Sequence, residues 1–214
     1  MKTVAILGSG VVGQTLAGGF SKHGYGVVMG TAHPDKKIEW KDAALAKIRI
    51  TSYEDAAKSA DAAVLATKGT VAEGVVKYIA TQLAGKIVMD AVNPIADAPP
   101  ENGVLKLFTT LEHSLMESLQ NAAPRAHFVK CFSSVGNAFM VNPDFGGTRP
   151  TMFICGNDEP SKKAVGAILE QFGWETADMG GVEGARAIEP LCILWCIPGL
   201  RGGGWSHAFK LLRK

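Results

Sequence analysis

Residues 4 to 13 read Val4-Ala5-Ile6-Leu7-Gly8-Ser9-Gly10-Val11-Val12-Gly13, an apolar run followed by glycines at the first, third and sixth places of a hexapeptide. The chemistry that needs this spacing is the binding of a dinucleotide pyrophosphate. Gly8 permits a tight turn out of a strand, Gly10 lets the main chain approach the phosphates, and Gly13 lets helix and strand pack closely. The N–H groups of a helix N-terminus, together with the helix dipole, then offset the phosphate charge. With 25 glycines in 214 residues a bare three-glycine match can arise by chance, so the flanking pattern has to decide. A second set of residues bears on which dinucleotide is taken. NAD sites place Asp or Glu about 20 residues beyond the glycine turn, on the ribose 2′-hydroxyl. Here the run is Gly30-Thr31-Ala32-His33-Pro34-Asp35-Lys36-Lys37. It offers a hydroxyl, an imidazole and ammonium groups where a 2′-phosphate would lie, and so favours NADP(H). Pro34-Asp35 fits the first turn of a following helix, and Lys37 a solvated helix face.

The elements that must position these groups follow from hydrophobic spacing. After Gly13, residues Leu16, Ala17, Phe20 and Ser21 fall at helical intervals, Gly24 stops the helix, and residues 25–29 form a buried strand, which completes one βαβ unit. Further strands are expected at 48–51, 61–67, 86–90, 127–132, 151–155 and 174–179, the last two completing the same sheet. Helices are expected at 53–59, 70–83, 111–121, 160–172, 185–195 and 205–212, with a short helix within 133–140. The pattern predicts an α/β fold: one doubly wound Rossmann-type dinucleotide-binding domain over 1–214, with a mostly parallel sheet. Its C-terminal helical part, about 184–214, would pack beside the active-site crevice. Ligands of such sheets lie outside the carboxyl ends of the strands. Gly8, Ser9, Gly10, Val11 and Val12 should therefore converge with Thr31, Ala32 and His33, with Thr67 and Lys68, and with Asn93 and Pro94.

Composition narrows the function classes. A hydrophobic share of 47% with 20% charged residues suits one substantial core. A net charge of +2, with scattered lysines, argues against nucleic acid as a partner. The longest apolar run, near residues 191–200, is interrupted by Pro198 and too short for a membrane span, so a cytoplasmic protein without membrane contact is expected. Cys131, Cys155, Cys192 and Cys196 lack the paired spacing of zinc sites and read as buried thiols. The five histidines are scattered, and no metal is expected.

Four segments in order resemble a known family: the glycine turn, Asp90-Ala91-Val92-Asn93-Pro94, Lys130-Cys131-Phe132-Ser133-Ser134-Val135-Gly136-Asn137, and Ala185-Arg186-Ala187-Ile188-Glu189-Pro190-Leu191. Together they look like the NADPH-dependent coenzyme F-420 reductases, and the ending Trp205-Ser206-His207-Ala208-Phe209-Lys210-Leu211-Leu212 looks like that of bacterial members. The resemblance implies direct hydride transfer between C4 of the nicotinamide and C5 of a deazaflavin, coenzyme F-420, as second substrate. Such a reaction needs alignment and water exclusion rather than a general acid or base, so no catalytic side chain is assigned. By the same resemblance Ser9, Gly10, Val11 and Val12 meet the pyrophosphate, and Thr31, His33 and Lys36 the 2′-phosphate. Thr67, Lys68, Asn93 and Pro94 meet the ribose and nicotinamide, Val135, Gly136 and Asn137 close the floor beneath the ring, and Leu191 and Trp195 stand beside the second substrate. The chain has Thr31-Ala32-His33 where the family commonly has Ser-Arg or Thr-Arg, and Ser133 where an Asn is common. Two rival readings are an NADPH-dependent reductase of an imine, carbonyl, flavin or ferric chelate, and a non-catalytic NADPH sensor. The apolar C-terminal helices could also serve a homodimer.

Overall fold

Val4, Ala5, Ile6 and Leu7 are all fully buried, which makes β1 (Thr3–Leu7) a strand covered on both faces. The computed structural model describes residues 1–40 and 42–214. From β1 the chain passes through α1 (Val11–Lys22) to β2 (Gly26–Gly30), β3 (Arg49–Thr51), α2 (Tyr53–Ser59) and β4 (Ala62–Leu65). It continues through α3 (Gly69–Tyr78), α4 (Ala80–Leu83), β5 (Ile87–Asp90), α5 (Leu115–Ala122) and β6 (His127–Lys130). These six strands pair in parallel in the order β3-β2-β1-β4-β5-β6. The order reverses between β1 and β4, the point where a doubly wound sheet opens its crevice.

Alternation of side chains across the pleat divides the core in two. Ala5, Leu7, Val28, Ala63, Leu65, Val88 and Phe128 face α2, α3 and α5. Val4, Ile6, Met29, Val64, Met89 and Val129 face α1 and α6 (Glu159–Gln171).

The chain departs from the expected pattern in several places: the helix expected over 70–83 is divided into α3 and α4, and that expected over 111–121 begins only at Leu115. Strands β7 (Thr151–Ile154) and β8 (Glu175–Asp178) do not complete the sheet but form a parallel pair of their own. One antiparallel bridge, Lys130 to Cys155, ties them to β6. Beyond it the chain turns away at Phe132, which adopts a φ of 59°, so the ladder cannot extend. The helix expected over 185–195 is split into α7 (Ala185–Ile188) and α8 (Leu191–Leu200). Pro190 between them has no N–H for the i−4 carbonyl.

No helix forms over 205–212. Main-chain groups there are taken by β7 instead: Thr151 N donates to Phe209 O at 2.8 Å, and Leu211 N to Thr151 Oγ1 at 3.1 Å. An eight-residue helix is marginal in water, and these tertiary bonds outcompete it. Pro34-Asp35 likewise starts no helix. The segment closes a turn through Lys36 N to His33 O at 3.1 Å, and its apolar residues Ile38 and Trp40 stand two apart, which builds no helical face. Among the described residues, no helix is long and apolar enough to cross a membrane.

Candidate functional site

The three glycines of the first turn are used differently. Gly8 leaves β1 with φ at 130°, and a Cβ on it would stand 2.7 Å from the carbonyl carbon of Ala66 and 3.1 Å from Thr67 N. A Cβ on Gly13 would lie 2.9 Å from the carbonyl carbon of Gly8, so helix and turn are in direct contact. Around Gly10, by contrast, nothing beyond the adjoining main chain comes within 4 Å of a Cβ position. Gly10 is also the N-cap of α1, with no side-chain cap bond and no acid in the first turn. The first N–H groups of α1 are thus left for an external anion. The glycine pattern, the exposed approach at Gly10 and the uncapped helix fit a pyrophosphate.

Neighbouring loops complete a crevice at the carboxyl ends of the strands. Thr31, buried at the end of β2, accepts at Oγ1 from Ser9 Oγ at 3.3 Å and from His33 N at 3.4 Å. Ala32, His33 and Lys36 lie exposed on the turn beyond it. Between β4 and β5 a cleft of about 320 Å³ is lined by Val12, Thr67, Lys68, Val92, Asn93 and Asp97, among others. The ionisable side chains of its lining, Lys68 and Asp97, pair with each other and are exposed. A larger groove, of about 500 Å³, lies over α6 and β8, where Lys162 is paired with Glu159 and Asp178.

Three buried polar atoms near the crevice have no partner within the protein: Thr67 Oγ1, Asn93 Oδ1 and Ser133 Oγ. Asn93 Nδ2 donates to Ser133 O at 2.8 Å, which joins the loop after β5 to the loop after β6. Buried polar groups without partners are uncommon, and these three leave hydrogen-bonding capacity unused at the crevice. Pro94 is buried beside Asn93, and its carbonyl accepts from Phe108 N at 2.9 Å.

Val135, Gly136 and Asn137 open the short 3-10 turn Asn137–Phe139. Gly136 lies flat against Trp195, since a Cβ there would be 2.8 Å from Cζ2. Trp195 stacks on His207 at 4.8 Å and tilts toward Trp205 at 5.5 Å. Its Nε1 donates to His207 O at 2.9 Å, and His207 Nε2 donates back to Trp195 O at 2.7 Å. Trp195 is therefore buried by the returning C-terminal segment, while Trp205 remains about half exposed. Leu191 is half-buried one turn earlier on α8.

A fully buried charge cluster lies under this crevice, and spacing alone did not reveal it. Asp90 and Lys130 are register partners on β5 and β6. Lys130 Nζ lies 2.7 Å from Asp90 Oδ2 and 3.0 Å from Glu189 Oε1, and it donates to Val92 O at 2.8 Å. The Asp90 contact is ionic rather than an aligned hydrogen bond. Glu189 accepts from Leu115 N and Met116 N, each at 3.0 Å, at the start of α5. Burial pushes the Asp90 carboxyl up, against the pull of Lys130. For Lys130 burial acts downward, but Asp90 and Glu189 outweigh it and keep the ammonium protonated. The available signal was an acid and a base at the ends of adjacent apolar strands.

Residues 3–94 match the family described as NADP oxidoreductase, coenzyme F-420-dependent. The matched part runs from β1 through the loop after β5, and over it the chain is similar to this family. It is 30% identical over 142 residues to the F-420-dependent NADP reductase of Methanocaldococcus jannaschii, covering 66% of this chain and 63% of that protein. It is also 30% identical over 213 residues to Metalloreductase STEAP3 of Rattus norvegicus, covering 96% of this chain but 40% of the rat protein. The chain thus spans less than two thirds of either curated relative. A solved structure of a candidate F-420-dependent NADP-reductase from Arthrobacter sp. FB24 superposes with a TM-score of 0.88 at 28% identity, covering 98% of this chain and 99% of that one. The family match ends near Pro94. The ion cluster, by contrast, joins segments on both sides of that boundary.

Proposed function

We propose that the chain is an NADP(H)-dependent oxidoreductase that holds the nicotinamide against a deazaflavin, coenzyme F-420, for direct hydride transfer between C4 and C5. The observation that carries this reading is the cleft between β4 and β5, whose described lining offers orphaned hydrogen-bonding atoms and, as ionisable side chains, the mutually paired Lys68 and Asp97. Such a site can bind and orient, and it has no side chain poised to move a proton. NADPH would supply the hydride. The N–H groups of the Ser9-Gly10-Val11-Val12 turn would hold the pyrophosphate, and Gly8 and Gly13 would shape that turn. Thr31, Ala32, His33 and Lys36 would meet the 2′-phosphate. Thr67, Lys68, Asn93 and Pro94 would meet the ribose and nicotinamide, with Val135, Gly136 and Asn137 closing the floor. Leu191 and Trp195 would stand beside the acceptor, Trp195 acting through the Gly136 turn it supports.

Similarity over 96% of the chain to a metalloreductase favours a second reading, in which the acceptor is a flavin or a ferric chelate. The test is NADPH oxidation followed by absorbance with coenzyme F-420, FMN, ferric chelate and a cyclic imine in parallel. Rapid turnover with F-420 alone supports the first reading. Turnover only with another acceptor moves the substrate elsewhere, and tight NADPH binding without any oxidation points to a sensor.

A further inference from the structure

Lys130 and Asp90 lie outside the set of side chains that reach the crevice, yet they hold a residue that leads into it. Asp90 Oδ1 accepts from Val92 N at 2.9 Å, and Lys130 Nζ donates to Val92 O at 2.8 Å. Both main-chain polar groups of Val92 are thereby fixed by charged side chains, and Val92 is itself 2% exposed. The next residue is Asn93, whose Nδ2 reaches Ser133 O and whose Oδ1 has no protein partner. The same lysine precedes the segment that carries Ser133. A single ammonium therefore sets the relation between the loops after β5 and β6, donating to Val92 O while its charge faces the carboxylates of Asp90 and Glu189.

Stability alone does not account for burying these charges, because an apolar cluster of the same volume is often as stable as a buried ion pair or more so. What directional charged groups add is a fixed geometry. We propose that Lys130, with Asp90, is a positioning residue that acts through Val92 to aim the Asn93 side chain at the nicotinamide half of NADP(H). Glu189 completes the cluster from the start of α5. This inference rests on the cofactor reading above, and it is independent of which acceptor is used.

The test compares NADPH with 2′,5′-ADP, a probe that lacks the nicotinamide half, by calorimetry. The variants are Lys130→Met/Asp90→Asn, Asn93→Ala, and the three changes combined. The paired change removes one charge of each sign, and it leaves Glu189 bonded to two N–H groups at a helix N-terminus. The expected result is a 2′,5′-ADP Kd within about twofold of wild type and an NADPH Kd weakened about tenfold, of the order of one lost hydrogen bond to a polar group. In the Asn93→Ala background the paired change should weaken NADPH no further, because the two act in series. Multiplying losses, equal weakening of both ligands, or unchanged NADPH affinity in a folded protein would overturn the proposal. Should the paired variant fail to fold, Asp90→Asn alone must show the same selective pattern at about threefold. A wild type that binds neither ligand refutes the cofactor reading itself, whereas binding without turnover leaves this comparison intact.

Discussion

Replacing Gly10 with alanine should abolish tight nucleotide binding while sparing the fold, and the same change at Gly13 should damage the fold. Gly10 has φ −73° and ψ −176°, ordinary for any residue, and an added Cβ meets nothing beyond the adjoining main chain within 4 Å. The unbound protein should keep its stability, or gain roughly 0.4 to 1 kcal/mol through the stiffer unfolded chain. A phosphate oxygen must come to about 2.9 Å from a main-chain N–H, whereas a methyl carbon needs about 3.5 Å of clearance. The Cβ therefore holds the phosphate off, and losing one charge-assisted bond of about 1.5 to 3 kcal/mol weakens NADPH about ten- to a hundredfold. At Gly13 the Cβ would stand 2.9 Å from the Gly8 carbonyl carbon, at least about 0.6 Å inside ordinary carbon contact. The Gly8 carbonyl oxygen is closer still, so forcing the two apart costs roughly 2 to 3 kcal/mol, against about 1 kcal/mol gained in helix propensity. A melting temperature lower by about 2 to 8 °C is the outcome to look for. Urea melts of the unbound variants and calorimetric NADPH titrations separate the two effects. A folded Gly10→Ala protein that binds NADPH like wild type would refute the assignment of this turn, and a fully stable Gly13→Ala would refute the packing argument.

His33→Ala combined with Lys36→Ala should weaken NADPH by about three- to tenfold in low salt, less at high salt, and leave NADH unchanged; equal loss for both cofactors would remove these residues from the 2′-phosphate. Among the thiols, Cys196 should alkylate first at neutral pH. The hydrogen bond from Cys192 lowers its pKa, whereas burial raises Cys131 and pushes Cys155 up to about 12; peptide mapping after brief iodoacetamide treatment checks the order. Glu117, hydrogen-bonded by Arg186 and then by Ser114, is held down to about 2 from the ordinary 4.5. Its folded pKa is depressed, so its contribution is full above the unfolded value and is lost as pH falls from about 4.5 toward about 2. Thermal melts across that window should show a shallower acid dependence for Arg186→Ala than for wild type.

The glycine turn and the first βαβ unit were legible in the amino-acid order because their information is local. A strand period, a helix period and three glycines lie within about 30 residues. The same holds for the helix at 53–59, found as expected at Tyr53–Ser59, and for the inner strands of the six-stranded sheet, β1, β4 and β5, whose apolar runs mark burial on both faces. Where pairing partners lie far apart in sequence, local pattern loses its authority. Residues 151–155 and 174–179 carry strand signals that say nothing of which edge they join; they pair with each other, and a single bridge to Lys130 is what ties them to the main sheet. Residues 205–212 have a helical stripe, yet their main-chain bonds go to Thr151, more than fifty residues away. The charge cluster is the clearest case. Asp90, Lys130 and Glu189 are separated by forty and more residues, and each looks like an ordinary charged residue at the end of an apolar run. Only sheet register and the approach of the α7–α8 junction to α5 bring the three together. Residue types determined that this chain folds as a doubly wound sheet with a nucleotide turn. Tertiary structure decided which polar groups lost their water and had to answer one another.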